Sequence, residues 1–308
     1  MSRVRIKVPR GFHFRATVMS HGWCYLAPFS WDMEAGTLER PLRVPGGKTA
    51  VVRLSQPGGR GKPLEAAFVA GAGSRGEIGP RPRAAVEAAV SRMLFLDADL
   101  TGFHDRCRSA GPPFAAAAES GYGRMLRSAT LFEDLVKILA TTNTTWGGTK
   151  AMVAKLVTLC GTDGSFPSPE EVAAAGAARL RDESRWGYRA EALAELAESI
   201  AGGRLDPARW ESWEGSSEEL EQEVRGLRGF GPYAAAEALA LLGRHDFIGV
   251  DTVFRGFVRK RHFPRARKMP SDRRMLAIYD AWGEWRGLAY WYEMWASVME
   301  DRDLLRTL

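Results

Sequence analysis

Cysteine is scarce in this chain: Cys24, Cys107 and Cys160 stand far apart among 308 residues. With no Cys-x-x-Cys pair and no Cys/His cluster, the spacing argues against a structural zinc site or an iron–sulfur cluster. An odd, sparse count suits a reducing compartment better than a disulfide framework. The five histidines, His13, His21, His104, His245 and His262, show no pairing at metal-ligand spacing. Long apolar runs are missing too. No stretch reaches the roughly 18 apolar residues that a membrane helix needs. The opening MSRVRIKVPRGFHF is basic but lacks the apolar segment of a secretory signal. A soluble cytoplasmic protein with no membrane association is expected.

What is present is ordinary globular material with a basic tilt. The hydrophobic fraction is 45% and the charged fraction 26%, enough for one large domain or two. Lys and Arg (43) exceed Asp and Glu (37), a net charge of +6. That favours an anionic partner only mildly.

The texture changes along the chain. RIKVPRGFHFRATV, RPLRVP, KTAVVRLSQPG and PLEAAFVAG are short β-rich stretches broken by Gly and Pro, which predict an antiparallel sheet within an α+β domain at 1–105. Residues 83–96 inside it repeat apolar positions at helical spacing. Residues 106–127, small and proline-containing, read as a connection. From 128 to 308 helix follows helix. Ser168 with Pro169 opens one and Ser216 with Glu219 another, while Gly202 and Gly203 close a third. The last helical segment holds four of the ten tryptophans, and aromatics so dense most often pack a core.

One stretch asks for more than folding. A helix at 216–226, a Leu-Arg-Gly-Phe-Gly turn and a helix from Pro232 form a helix–hairpin–helix, followed by Phe247-Ile248-Gly249-Val250-Asp251 and a basic helix. Gly229 and Gly231 allow a tight path and a close approach by another backbone. A helix N-terminus beyond them suits a phosphate. Carbonyls of the hairpin, those of Leu227 and Gly229, could also hold a potassium or sodium ion. Each feature alone has a plain structural reading: the turn as an αα-connection, Asp251 as a helix N-cap.

Taken together, LRGFGPYAAAEAL and GVDTVFRGFV resemble the hairpin and aspartate segments of the helix–hairpin–helix Gly/Pro-Asp (HhH-GPD) superfamily of DNA glycosylases. The likeness extends in order through RMLFLDADLTGF (92–103), LFEDLVKILATTNTTWGGTKAMVAKL (131–156), WGYRAEALAELAESIAGG (186–203) and AWGEWRGLAYWYEMW (281–295). It implies a mostly α fold, a two-lobed helical core preceded by the β-rich domain. That layout is nearest the alkylpurine and 8-oxoguanine branches. The four cysteines carried by the iron–sulfur branches are absent after Asp251.

The resemblance implies a monomeric enzyme that extrudes a damaged base from duplex DNA and hydrolyses its N-glycosidic bond, with no required cofactor and a place beside the nucleoid. Asp251 would oppose the charge developing on the sugar and orient water. The 8-oxoguanine branch has a lysine nucleophile two residues past the hairpin's second glycine; here that residue is Tyr233. A phenol forms no Schiff base, so a monofunctional hydrolase is expected, on alkylated purines. Tyr233, Trp186, Tyr188, Trp282 and Trp285 are candidates to line the base pocket. Gly229, Phe230 and Gly231 of the hairpin are candidate phosphate contacts. So are Arg255, Arg259, Lys260 and Arg261 on the helix after Asp251. Asn143, with Thr142 and Thr144, matches the residue that fills the gap left by the flipped base in the 8-oxoguanine branch. Three alternatives stay open: a non-catalytic lesion-sensing binder, an 8-oxoguanine glycosylase, or a glycosylase for another modified base.

Overall fold

A computed structural model describes residues 2–69 and 79–301. In chain order the first elements are β1 (Ser2–Ile6), α1 (Phe14–Val18), β2 (Ser30–Asp32), β3 (Thr37–Val44), β4 (Lys48–Ser55) and β5 (Leu64–Val69). Then come α2 (Pro80–Met93), α3 (Thr101–Ala110), α4 (Ala115–Ser120), α5 (Leu131–Thr141), α6 (Trp146–Cys160), α7 (Pro169–Asp182) and α8 (Ala190–Ala201). The last are α9 (Ser217–Arg225), α10 (Pro232–Leu241), α11 (Thr252–His262), α12 (Asp272–Leu276) and α13 (Arg286–Asp301). The fold is mostly helical with an N-terminal antiparallel sheet, as the sequence pattern predicts. Among the described residues no helix is long and apolar enough to cross a membrane.

The chain divides into two units, each built from two pieces: 1–98 with 124–208, and 99–123 with 209–308. This differs from three consecutive segments at 1–105, 106–127 and 128–308. Of the proline-containing stretch expected to connect, 106–123 is instead part of the second unit, because its aromatics have partners there, and 124–127 belong to the first. Phe114 lies 4.5 Å from Trp282 and Tyr122 lies 5.0 Å from both Tyr292 and Trp295, ring centre to ring centre.

In the first unit the sheet order is β1-β5-β4-β3-β2, antiparallel throughout. Strand alternation puts Leu38, Leu42, Val52, Leu54, Ala66 and Phe68 on the buried face. Arg40 shares that face and is buried, which requires a counter-charge. It finds one in Glu133 of α5, gripped by two hydrogen bonds of 3.2 and 2.9 Å. Lys137, one turn on, donates to the same carboxylate at 2.7 Å and to Ser128 Oγ at 3.1 Å. Burial would raise the Glu133 pKa, but Arg40 and Lys137 outweigh it and hold the carboxyl down at about 2. The neighbouring Asp134 accepts from Trp23 Nε1, the Ser128 amide and Arg92. The start of α5 is thereby tied to the sheet and α2.

Two sequence expectations shift. Phe12, Phe14, Ala16 and Val18 alternate like a strand, yet 14–18 is a helix capped by His13, whose Nδ1 accepts the Ala16 N–H at 3.2 Å. All four are buried, so period-two patterning was misleading there. The helix expected over 83–96 starts earlier, at Pro80 in its first turn, and stops at Met93. The end of the PLEAAFVAG stretch lies outside the described residues. The capping boxes at Ser168 and Ser216 form as expected.

Candidate active site

The hairpin lies in the second unit. Helix α9 starts from its capping box and ends at Arg225. The Leu227 N–H bonds the Val224 carbonyl at 3.0 Å and the Phe230 N–H bonds the Leu227 carbonyl at 3.1 Å. Gly229 has φ +87°, a left-handed conformation that a side chain would strain. The Phe230 ring is buried and anchors the turn, so this residue can offer DNA only its backbone. Gly231 then serves as N-cap of α10 with Pro232 at the first helical position, and no side chain caps the helix. The early N–H donors of α10 therefore face an exposed turn free of side-chain competition. A Cβ placed on Gly231 would meet nothing within 4 Å. The Leu227 carbonyl, committed to one turn hydrogen bond, keeps a lone pair, and carbonyl oxygens are fit donors for a hard cation.

Asp251 follows the extended segment and caps α11. Its Oδ1 accepts the Phe254 N–H at 2.7 Å. Among the described residues no hydrogen bond engages Oδ2, and the residue is half-buried. One oxygen thus fixes the carboxylate while the other stays available. Helix α11 is held at both ends. Phe254 packs edge-on against Tyr290 of α13 with 5.1 Å between ring centres. Near its C-terminus, His262 Nε2 and Arg261 Nε lie 2.9 and 3.3 Å from the Glu293 carboxylate, which also accepts from Tyr279 Oη at 2.7 Å.

Tyr233 stands in the first turn of α10, half-buried. Four residues on, and so on the same helical face, is Glu237, the one charged residue in 232–242. Gly249, two residues before Asp251, packs against both: a Cβ there would collide with the Glu237 carboxyl and come within 3.1 Å of the Tyr233 ring. Burial, reinforced by the charge of Asp251, pushes the Glu237 carboxyl up to about 8. Among the described residues no cation or hydrogen bond offsets that burial. The phenol of Tyr290 is raised as well, by burial and then by Asp251, Glu237 and Tyr233. Its hydroxyl donates to Met294 Sδ at 3.3 Å. Glu237, Asp251, Tyr233 and Tyr290 thus form one electrostatically coupled group. Sequence reasoning singled out two of the four. A lone glutamate in an alanine run reads as a solvated face, and only the i,i+4 spacing from Tyr233 hints otherwise.

Asn143 belongs to the first unit, on the turn between α5 and α6. It is exposed at φ +46°, a region that asparagine tolerates better than most residues. The Arg189 guanidinium holds this turn, donating to Thr142 Oγ1 at 3.1 Å, to the Thr142 carbonyl and to the Asn143 carbonyl at 2.9 Å. Thr144 is exposed beside Asn143. Tyr188 is 65% exposed, with the same guanidinium 4.5 Å from its ring centre. It therefore accompanies the Asn143 turn.

Of the other expected pocket residues, Trp186 and Trp282 are core, and Trp285 is half-buried with aromatic neighbours. Trp186 is fully buried in the first unit, its Nε1 donating to the Met152 carbonyl at 3.3 Å, so its ring has no free face for a base. Trp282 is packed against Phe114 and Phe103, and Trp285 against Phe103 and His245. Arg255 is held by Asp272 in two hydrogen bonds of 2.8 Å, and Arg261 pairs with Glu293. Arg259 and Lys260 are exposed and, among the described residues, unpaired.

Residues 136–280 match the HhH-GPD superfamily of base excision DNA repair proteins. Solved structures share the fold over nearly the whole chain. A 3-methyladenine DNA glycosylase from Archaeoglobus fulgidus matches with a TM-score of 0.70 and 18% identity, covering 98% of this chain and 99% of its own. The Clostridium acetobutylicum 8-oxoguanine glycosylase/lyase, bound to duplex DNA with cytosine opposite 8-oxoguanine, matches at 0.70 with 16% identity, covering 98% and 99%. No curated protein matches the sequence significantly.

Proposed function

We propose that this protein is a monofunctional DNA glycosylase that removes a damaged purine, an alkylated one first of all, from duplex DNA. The observation that carries the reading is the joint placement, within one unit, of the hairpin, the half-free carboxylate of Asp251 and a phenol, Tyr233, where an amine nucleophile would stand. The hairpin amides at Gly229 and Gly231 and the uncapped start of α10 receive phosphates. Arg259 and Lys260 add exposed positive charge. The carbonyls of Leu227 and Gly229 would hold a potassium or sodium ion, which adds positive charge beside the phosphate. Asn143, flanked by Thr142 and Thr144 and braced by Arg189, fills the gap in the stack. Extrusion costs a few kcal/mol and least at a weakened pair.

Asp251 then acts twice. Its negative charge stabilises the oxocarbenium-like sugar as the C1′–N bond lengthens. Its free oxygen accepts a proton from the water that adds to C1′. Alkylated purines suit this arrangement because they carry positive charge, leave readily, and are attracted to an aromatic face such as that of Tyr233. The test is single-turnover excision on duplexes that each contain one lesion: methylated purine, hypoxanthine, 8-oxoguanine or uracil. Strand breaks that appear only after alkali are expected. Breaks without alkali would overturn the monofunctional assignment, and retained lesion binding without any excision would favour the lesion-sensing alternative.

A further inference from the structure

Glu237 has no task in the mechanism above, yet burial and the charge of Asp251 push its carboxyl well up. It sits one helical turn beyond Tyr233, on the face that Gly249 leaves open, and shares an electrostatic environment with Asp251 from the start of α11 and Tyr290 from α13. No basic side chain among the described residues faces it. Tyr233 and Tyr290 are neutral phenols, so the one charge acting on it is that of Asp251.

Resting on the glycosylase reading, we infer that Glu237 is the catalytic proton donor to the departing base. Its placement beside Tyr233 and Asp251, with Gly249 making room, puts a carboxylic acid where the base would lie. The group meets the protonation requirement: with its pKa pushed up to about 8, it carries its proton at neutral pH. Two carboxyls in one site then divide the labour.

The step balances. The C1′–N9 bond breaks with its electron pair staying on the base, and the Glu237 proton passes to a purine ring nitrogen, so the base leaves neutral. Water adds to C1′ and gives one proton to Asp251. The products are free base and an abasic sugar hydroxyl; Glu237 has lost a proton and Asp251 has gained one, and exchange with solvent restores both. The coupling also favours the order of events. Part of what holds the proton on Glu237 is the charge of Asp251, which the forming sugar cation offsets as the bond breaks.

The consequence is a wider substrate class. A methylated purine is already cationic and gains little from an acid, whereas a neutral purine such as hypoxanthine departs poorly without one. Single-turnover excision of 7-methylguanine and of hypoxanthine from duplex DNA, from pH 6 to 10, separates the two. For the wild-type protein the hypoxanthine rate is expected to fall above about pH 8, approaching tenfold per pH unit, with a shallower dependence for 7-methylguanine. Glu237→Gln keeps the shape but supplies no transferable proton. It should lower the hypoxanthine-to-methylguanine rate ratio by about 100-fold, the lower end for general acid catalysis. Gly249→Ala, which displaces the Glu237 carboxyl, should lower the same ratio in a protein whose melting confirms that it is folded.

An unchanged ratio in Glu237→Gln, or an equal loss on both substrates, would overturn the assignment. Excision of 7-methylguanine alone by the wild type would overturn the proton-donor role and leave the glycosylase reading standing. Excision of neither would overturn both.

Discussion

Asp251 serves structure and proposed chemistry with different oxygens. Asparagine also caps helices well, so Asp251→Asn should keep the Phe254 contact and melt within about 1 kcal/mol of the parent. Its excision rate should fall by at least 100-fold, the scale of losing one well-placed electrostatic group. Thermal melting and single-turnover kinetics check the two halves, and undiminished turnover would remove Asp251 from the mechanism. The hairpin glycines separate in a similar way. Gly229→Ala forces a side chain into left-handed backbone at a cost of about 1 kcal/mol. Gly231→Val meets open space in the free protein, so it should weaken duplex affinity by more than its effect on melting predicts. Titration of a labelled undamaged duplex against each variant measures this. Asp251, Gly229 and Gly231 were legible in the sequence because turn and cap chemistry act within a few residues. Glu237 and Tyr290 were not, since what distinguishes them is burial near Asp251 by residues distant in sequence.

Helix α5 shows how one element can carry a unit's stability at its first two turns. Glu133 answers two buried cations, so Glu133→Gln leaves Arg40 without its carboxylate partner and Lys137 with only the charge of Asp134. Such a loss costs about 3–5 kcal/mol and should appear as a large drop in melting temperature at neutral pH. The same pair sets an acid limit. A carboxyl held at about 2 in the folded state, against an ordinary 4.5, stabilises the fold fully above its unfolded pKa. That contribution, about 3 kcal/mol, is lost as pH falls from 4.5 towards 2. Denaturant midpoints between pH 6 and 3 should decline in the parent and decline less in Glu133→Gln. Helix periodicity located α5, and strand alternation located β3 on which Arg40 lies. The bond between them was hidden because an arginine among alternating residues reads as solvent-facing. The α1 segment failed for the opposite reason: Phe12, Phe14, Ala16 and Val18, buried at every second position, imitate a strand although 14–18 is a helix.

At the scale of the whole molecule, a charge of +6 gives DNA affinity a salt dependence, so log affinity should fall linearly with log salt concentration. A flat response from 50 to 200 mM salt would count against phosphate contacts by the hairpin, Arg259 and Lys260. The order of motifs along the chain was readable, and so were the sheet and the helical remainder. The division into units was not, because small residues and two prolines looked like a connection while the partners of Phe103, Phe114 and Tyr122 lie far downstream. Residues 1–208 produced alone should accordingly expose those rings and bind an apolar dye, while the full chain should not. That interleaving also sets a timetable during synthesis. The stretch 99–123 leaves the ribosome before the 85 residues of 124–208, and at translation rates of 5–20 residues per second it waits roughly 4–17 s before its partners begin to emerge. For that interval a nascent chain carries unmatched aromatic surface, a natural stopping place for a chaperone, and the carboxylate that would act on DNA has not yet been made.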